Sequence, residues 1–142
     1  ATSRAPSGTG ARPVASIGRP PAIGASVMAR GTSAMTPGGK VRTRWNSDDI
    51  WLRRTFTLAD AKLDNLKLYV HHDEDAEIYL NGVLAATLGG FTTEYELVEI
   101  AAAAKATLKS GANVISINCH QTTGGQYIDA GLVIETTPAA GK

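Results

Sequence analysis

The chain has a single cysteine, Cys119, so it can form neither an intramolecular disulfide nor a multi-cysteine metal site. It has no apolar run long enough to span a bilayer, and no charged, then apolar, then small-residue order of a signal peptide. Its first 44 residues hold no Asp, no Glu and no aromatic residue. They hold instead seven bases (Arg4, Arg12, Arg19, Arg30, Lys40, Arg42 and Arg44) and five of the six prolines. Residues 45–142 hold all thirteen acids, all eight aromatics and the other seven bases, so the net charge of +1 conceals +7 followed by −6. A basic arm can bind phosphate backbones, but these bases are isolated and no aromatic interleaves with them to stack on nucleobases. The expected partners therefore include neither nucleic acid nor membrane.

What is present suits one ordinary domain with a real core: 142 residues, 43% hydrophobic and 19% charged. Residues 1–40 are rich in Gly, Pro, Ser, Ala and Arg and have no sustained period of 2 or 3.6, which predicts a mostly irregular basic leader. Short pieces such as 22–28 are candidates for docking on the domain. The sandwich domain is expected over 41–136, with a tail at 137–142.

Period-2 alternation predicts strands over 41–45, 50–58, 66–72, 76–80, 83–88, 95–100, 113–121 and 127–135. The clearest signal is the run from Asp73 to Gly82, where Ala76, Ile78 and Leu80 alternate with Glu77 and Tyr79. Asn81-Gly82 then supplies two residues tolerant of positive φ, as a type I′ hairpin turn requires. Only 101–108, Ala-rich and followed by Ser110-Gly111, reads as helix. The predicted fold class is all-β: an antiparallel β-sandwich (jelly roll) with one short helix and an irregular N-terminal segment. On that pattern Cys119 shares a face with Ile115 and Ile117, the setting of an inert buried thiol.

Three words occur in fixed order: Asp49-Ile50-Trp51-Leu52-Arg53-Arg54-Thr55-Phe56, Asp75-Ala76-Glu77-Ile78-Tyr79-Leu80-Asn81-Gly82, and Gly111-Ala112-Asn113-Val114-Ile115. Together they resemble the galactose-binding-like jelly roll, found as the sugar-binding domain of family 2 glycoside hydrolases and as accessory modules of bacterial secreted carbohydrate-active enzymes. The resemblance covers roughly the last 100 residues, one domain's worth. It implies a non-catalytic module that binds an oligo- or polysaccharide or packs beside a neighbouring catalytic domain. It also implies an extracellular or periplasmic location. The first 40 residues depart from the family, whose members open with Trp, Phe and Asp residues. Their acid-free composition resembles a GC-rich reading frame translated out of phase, rejoining the family pattern over 31–36.

A site for neutral sugars needs an aromatic platform for the C–H face of the ring and planar or charged side chains for its hydroxyls. Trp51, Arg53, His71, His120, Gln121, Gln126, Tyr127 and Asp129 supply that mixture. Parity sets Tyr127 and Asp129 opposite Ile128 and Ala130, and Asn118 and His120 opposite Ile117 and Cys119. The polar faces of the last two long strands are thus expected to form one patch. The Gly124-Gly125 pair before Tyr127 gives a closely approachable loop.

Two metal readings compete with this one. The carboxylates Asp73, Glu74 and Asp75 are candidate ligands for a structural calcium ion, a hard cation that takes loop oxygens. A cupin-like, metal-dependent enzyme is the alternative function, with His71 or His72, Glu77 and His120 as ligands. Adjacent histidines point to opposite strand faces, which weighs against it. A structural or interaction sandwich without ligand is the remaining alternative.

Overall fold

A computed structural model describes residues 27–30 and 43–135. The expectations for the leader, apart from 27–30, and for the tail at 137–142 lie outside the described residues. Nine strands and one helical turn are described: β1 (Val27–Arg30), β2 (Thr43–Arg44), β3 (Asp49–Leu58), β4 (Leu66–Asp73), β5 (Asp75–Leu80), β6 (Val83–Leu88), β7 (Glu96–Val98), α1 (Ala102–Lys105), β8 (Gly111–His120) and β9 (Tyr127–Ile134). They form an all-β sandwich of the jelly-roll kind. One sheet has the order β2-β1-β9-β4-β7 and the other β3-β8-β5-β6.

All pairings are antiparallel except β1 with β2. From β2 onward every connection crosses to the opposite sheet save the β5–β6 hairpin. Sheet neighbours are therefore remote in the chain, as in β3 with β8 and β4 with β9. β1 pairs with β9 along Val27–Arg30, so the sheet takes a strand from within the stretch expected as leader.

Strand parity builds the core. Leu52, Phe56 and Leu58 of β3, Leu68 and Val70 of β4, Ile78 and Leu80 of β5, Ile115 and Ile117 of β8, and Ile128 and Leu132 of β9 all turn inward and are buried together. Each such side chain contributes roughly 1.5–3 kcal/mol by leaving water. Cys119 lies among them, fully buried. Burial pushes its thiol pKa up to about 12.

The hairpin between β5 and β6 is turned by Asn81 at φ 48° and Gly82 at φ 83°, both in the left-handed region. The helix is shorter than its Ala-rich sequence predicts. Ala101 offers no side-chain cap, and the turn tightens where Thr107 N–H and Oγ1–H both donate to the Ala104 carbonyl, at 3.1 and 2.6 Å. Ala101 N–H donates to the Ala85 carbonyl at 2.9 Å, tying the start of this turn to β6.

Candidate functional site

The outer face of the four-stranded sheet carries the exposed chemistry. Because Leu52 and Phe56 turn inward, Trp51, Arg53 and Thr55 of β3 turn outward, and Trp51 is 67% exposed. Trp51 is in register with Asn118 of β8, and Asn118 with Glu77 of β5. Arg53 is likewise in register with Ser116, and Ser116 with Tyr79. The Trp51 ring lies 6.5 Å from that of Tyr79, tilted by 30°. Tyr79 pairs in turn with Leu84 of β6, so aromatic and apolar surface runs diagonally over the sheet.

Polar groups surround that diagonal. Tyr79 O–H donates to Glu77 Oε2 at 2.6 Å, and this bond to a carboxylate raises the phenol pKa. Asn118 Nδ2 reaches the Ile50 carbonyl at 3.3 Å. At the far end of the strands His120 sits in register between Asp49 and Asp75. Its Nδ1 is 2.9 Å from Asp49 Oδ1, and the bond to that carboxylate raises the imidazole pKa. Gln121 continues beyond β8, with its N–H on the Asp48 carbonyl at 2.7 Å and its Nε2 on that of Gly124 at 3.2 Å.

Two depressions flank the aromatic diagonal. One, of about 490 Å³, is lined by Arg53, Asn81, Gly82, Thr107, Lys109, Val114 and Ser116. The other, of about 340 Å³, is lined on its polar side by Asp75, Glu77, Thr87, Asn118 and His120. The face is thus basic at one end and acidic at the other, with the rings between.

The structure does not gather all eight predicted carbohydrate residues. Strand β8 belongs to the four-stranded sheet and β9 to the five-stranded sheet, so their polar faces cannot form the single patch expected. Parity assigns a residue to a face of its own strand; it carries no information on which sheet the strand joins. Trp51, Arg53 and His120 share the open face just described, with Gln121 at its edge.

His71, Gln126, Tyr127 and Asp129 are buried on the side of the five-stranded sheet. His71 is in register with Asp129 on the outer side of that sheet. Its ring packs 4.3 Å from Tyr127 and 5.3 Å from Tyr95, and its Nδ1 is 2.7 Å from Thr92 Oγ1. Tyr95 O–H donates to Asp129 Oδ2 at 2.5 Å, and Tyr127 O–H donates to the Thr92 carbonyl. Gln126 Nε2 donates to the Ser47 carbonyl at 2.6 Å. Burial lowers the pKa of His71, against a hydrogen bond with the Glu94 backbone that raises it. His71, Tyr127 and Asp129 hold β4, β9 and the 91–95 segment together, while Gln126 ties the start of β9 to the segment before β3.

The metal sets are not assembled either. Among the described residues no group of three His, Cys, Asp or Glu side chains is placed to hold a metal. Glu74 Oε2 accepts from Thr122 N–H at 2.9 Å and from the Thr122 hydroxyl, while Asp75 Oδ1 accepts from Gly90 N–H at 2.9 Å. Asp73 pairs through its backbone with Phe91. The acids proposed for calcium thus serve separate loops. Of the cupin-like set, His71 turns to Thr92, His72 Nδ1 meets the Glu74 carbonyl at 2.7 Å, and Glu77 and His120 lie on the other sheet.

Tyr79, Ser116 and Lys109 belong to the exposed face although the sequence did not single them out as ligand residues, and Glu77, expected only as a metal ligand, lies there with them. Alternation in 76–80 already placed Glu77 and Tyr79 outward, but only cross-strand pairing sets them beside Trp51. No family model matches the chain, and no curated protein matches it.

Proposed function

We propose that the protein is a non-catalytic carbohydrate-binding module of the galactose-binding-like kind, accessory to a larger secreted carbohydrate-active enzyme, and that it binds glycans on the outer face of its four-stranded sheet. One observation carries this: Trp51, two-thirds exposed, stands beside Tyr79 on a regular sheet. An exposed indole costs apolar hydration and contributes nothing to the core, and its flat face suits the C–H surface of a pyranose ring. Glu77, Asn118, Arg53 and Ser116 supply acceptors and donors within the same cross-strand rows.

Calorimetry against a panel of neutral oligosaccharides tests the proposal. Trp51→Ala should lower affinity for any bound glycan at least about tenfold, the effect of losing one stacking platform. Unfolding free energy should change by no more than about 0.5 kcal/mol, as for an exposed residue. Glycan binding that is indifferent to Trp51→Ala would move the site off this face.

A second reading uses the same surface. Trp51, Tyr79 and Leu84 form a strip on which a neighbouring domain of a parent enzyme can dock, and Leu84 is also exposed. Burial of Trp51 by the parent's catalytic domain, measured as loss of quenching in the longer protein, would favour docking over sugar binding.

A further inference from the structure

The depression beside the aromatic pair has a chemistry that neutral sugars do not need. Among the described residues it holds Arg53 and Lys109 and no carboxylate. Neither cation makes an ion pair among the described residues, where the ion pairs formed are Lys67 with Glu99 and Glu135, and His120 with Asp49. Arg53 has no hydrogen bond there either, whereas Asn81 and Thr107 in the same wall are engaged by the turn and by the Ala104 carbonyl. Two cations sharing one depression without a counter-charge repel each other and favour an anionic occupant.

Position links this depression to the aromatic pair. Arg53 lies two residues from Trp51 on the same face of β3, and Ser116 stands in register between Arg53 and Tyr79. A ring stacked on Trp51 and Tyr79 therefore places a neighbouring substituent over Ser116, within reach of the Arg53 fork. A planar guanidinium matches a carboxylate or a sulfate ester through paired N–H donors, and Ser116 can add a hydroxyl donor.

We infer that this depression is an anion subsite, and that the module selects acidic saccharides, carrying a carboxylate or sulfate on the sugar next to the one stacked on Trp51. The inference rests on the carbohydrate reading above and names its substrate class. The acidic depression at the other end, with Asp75 and Glu77, sets the direction: the anionic group lies toward Lys109 and away from His120.

Two matched pairs of probes separate the sources of negative charge: a κ-carrageenan tetrasaccharide with its desulfated form, and trigalacturonate with its methyl ester. At low salt at least one acidic member should bind about tenfold or more tightly than its neutral partner, and the preference should shrink as ionic strength rises. Lys109→Gln should reduce the preference while leaving affinity for the neutral partner in place, and Arg53→Gln should weaken binding of the acidic member more than that of the neutral one. The pair that shows it tells sulfate from carboxylate. Titration with sodium sulfate alone, followed by NMR, should shift the Arg53 Nε–H and Ser116 amide signals saturably, and Arg53→Gln should abolish the Ser116 shift.

Binding of both members of each pair within twofold, still dependent on Trp51, would overturn the anion subsite and leave the carbohydrate proposal standing. Absence of any saturable sulfate shift would overturn the subsite as well. Sulfate binding with no binding of any saccharide would overturn the substrate class together with the proposal beneath it.

Discussion

Asn81 Nδ2 donates to Asn113 Oδ1 at 2.9 Å, joining the turn of the β5–β6 hairpin to the start of β8. Asn81 Oδ1 accepts from Val114 N–H at 2.8 Å, and its Nδ2 also reaches the Thr107 carbonyl at 2.8 Å. Asn113, only 1% exposed, donates to the Lys109 and Gly111 carbonyls at 2.7 and 3.0 Å and accepts from Lys109 N–H at 3.0 Å. One amide pair thus satisfies backbone groups at a helix exit and a strand start and ties the hairpin turn to both. Asn113→Ala strands several of these groups and should cost about 2–4 kcal/mol, read from the urea midpoint at constant m. Asn113→Asp loses the two donors and should recover little of the loss.

The two tryptophans report separately. Trp45 is buried and Trp51 exposed, so iodide should quench roughly half the fluorescence of the native protein and nearly all of it after unfolding. Trp51→Phe should leave native emission largely resistant to iodide. A bound saccharide that stacks on Trp51 should protect the quenchable half; quenching unchanged at saturation would place the ligand elsewhere.

Two histidines should give pH dependences of opposite sign. Burial lowers the pKa of His71, so between its folded value and about 6.5 the unfolded chain holds more protons. Stability present above about pH 6.5 is therefore lost as pH falls below it. His71→Gln should flatten the acid side of a plot of Tm against pH. His120 is the reverse case: its pKa is raised by Asp49, so its contribution is complete below about pH 6.5 and is lost as pH rises through the folded value. Its side chain is 47% exposed, so solvent screens the pair and the sensitive readout is its imidazole NMR titration. Asp49→Asn should move that midpoint down toward 6.5.

Cys119 should be nearly inert in the native protein. With its pKa pushed up to about 12 and its sulfur in the core, a thiol reagent at pH 8 should react at least about a hundredfold more slowly than with urea-unfolded chain. Fast native labelling would mean that the sandwich opens locally at β8.

The local fold was legible because side-chain direction in a strand follows a period of two. The spans predicted from 50–58, 66–72, 76–80 and 83–88 lie within a residue of β3, β4, β5 and β6, and Asn81-Gly82 turns the hairpin as expected. β7 and α1 are shorter than predicted, since Tyr95 leaves the strand to reach Asp129 and Ala101 provides no cap. The surface was only half legible. Trp51 and Arg53 were placed outward by Leu52 and Phe56, but their partner Tyr79 comes from a strand about 26 residues on, reached only through β8. Tyr127 and Asp129 have the same polar-face signature as His120, yet the chain crosses to the other sheet at the loop between them.

The position of β9 has a consequence for the order of events during synthesis. It is the last of the described strands to leave a ribosome, yet it lies between β1 and β4 and is the backbone partner of both. Until it emerges, β1 with β2 and β4 with β7 have no common neighbour, and their inner faces lack Ile128, Ala130 and Leu132. Closure of the sandwich is thus deferred to the final strand, and a nascent chain stopped before Tyr127 presents two open strand edges to any holdase or aggregating neighbour.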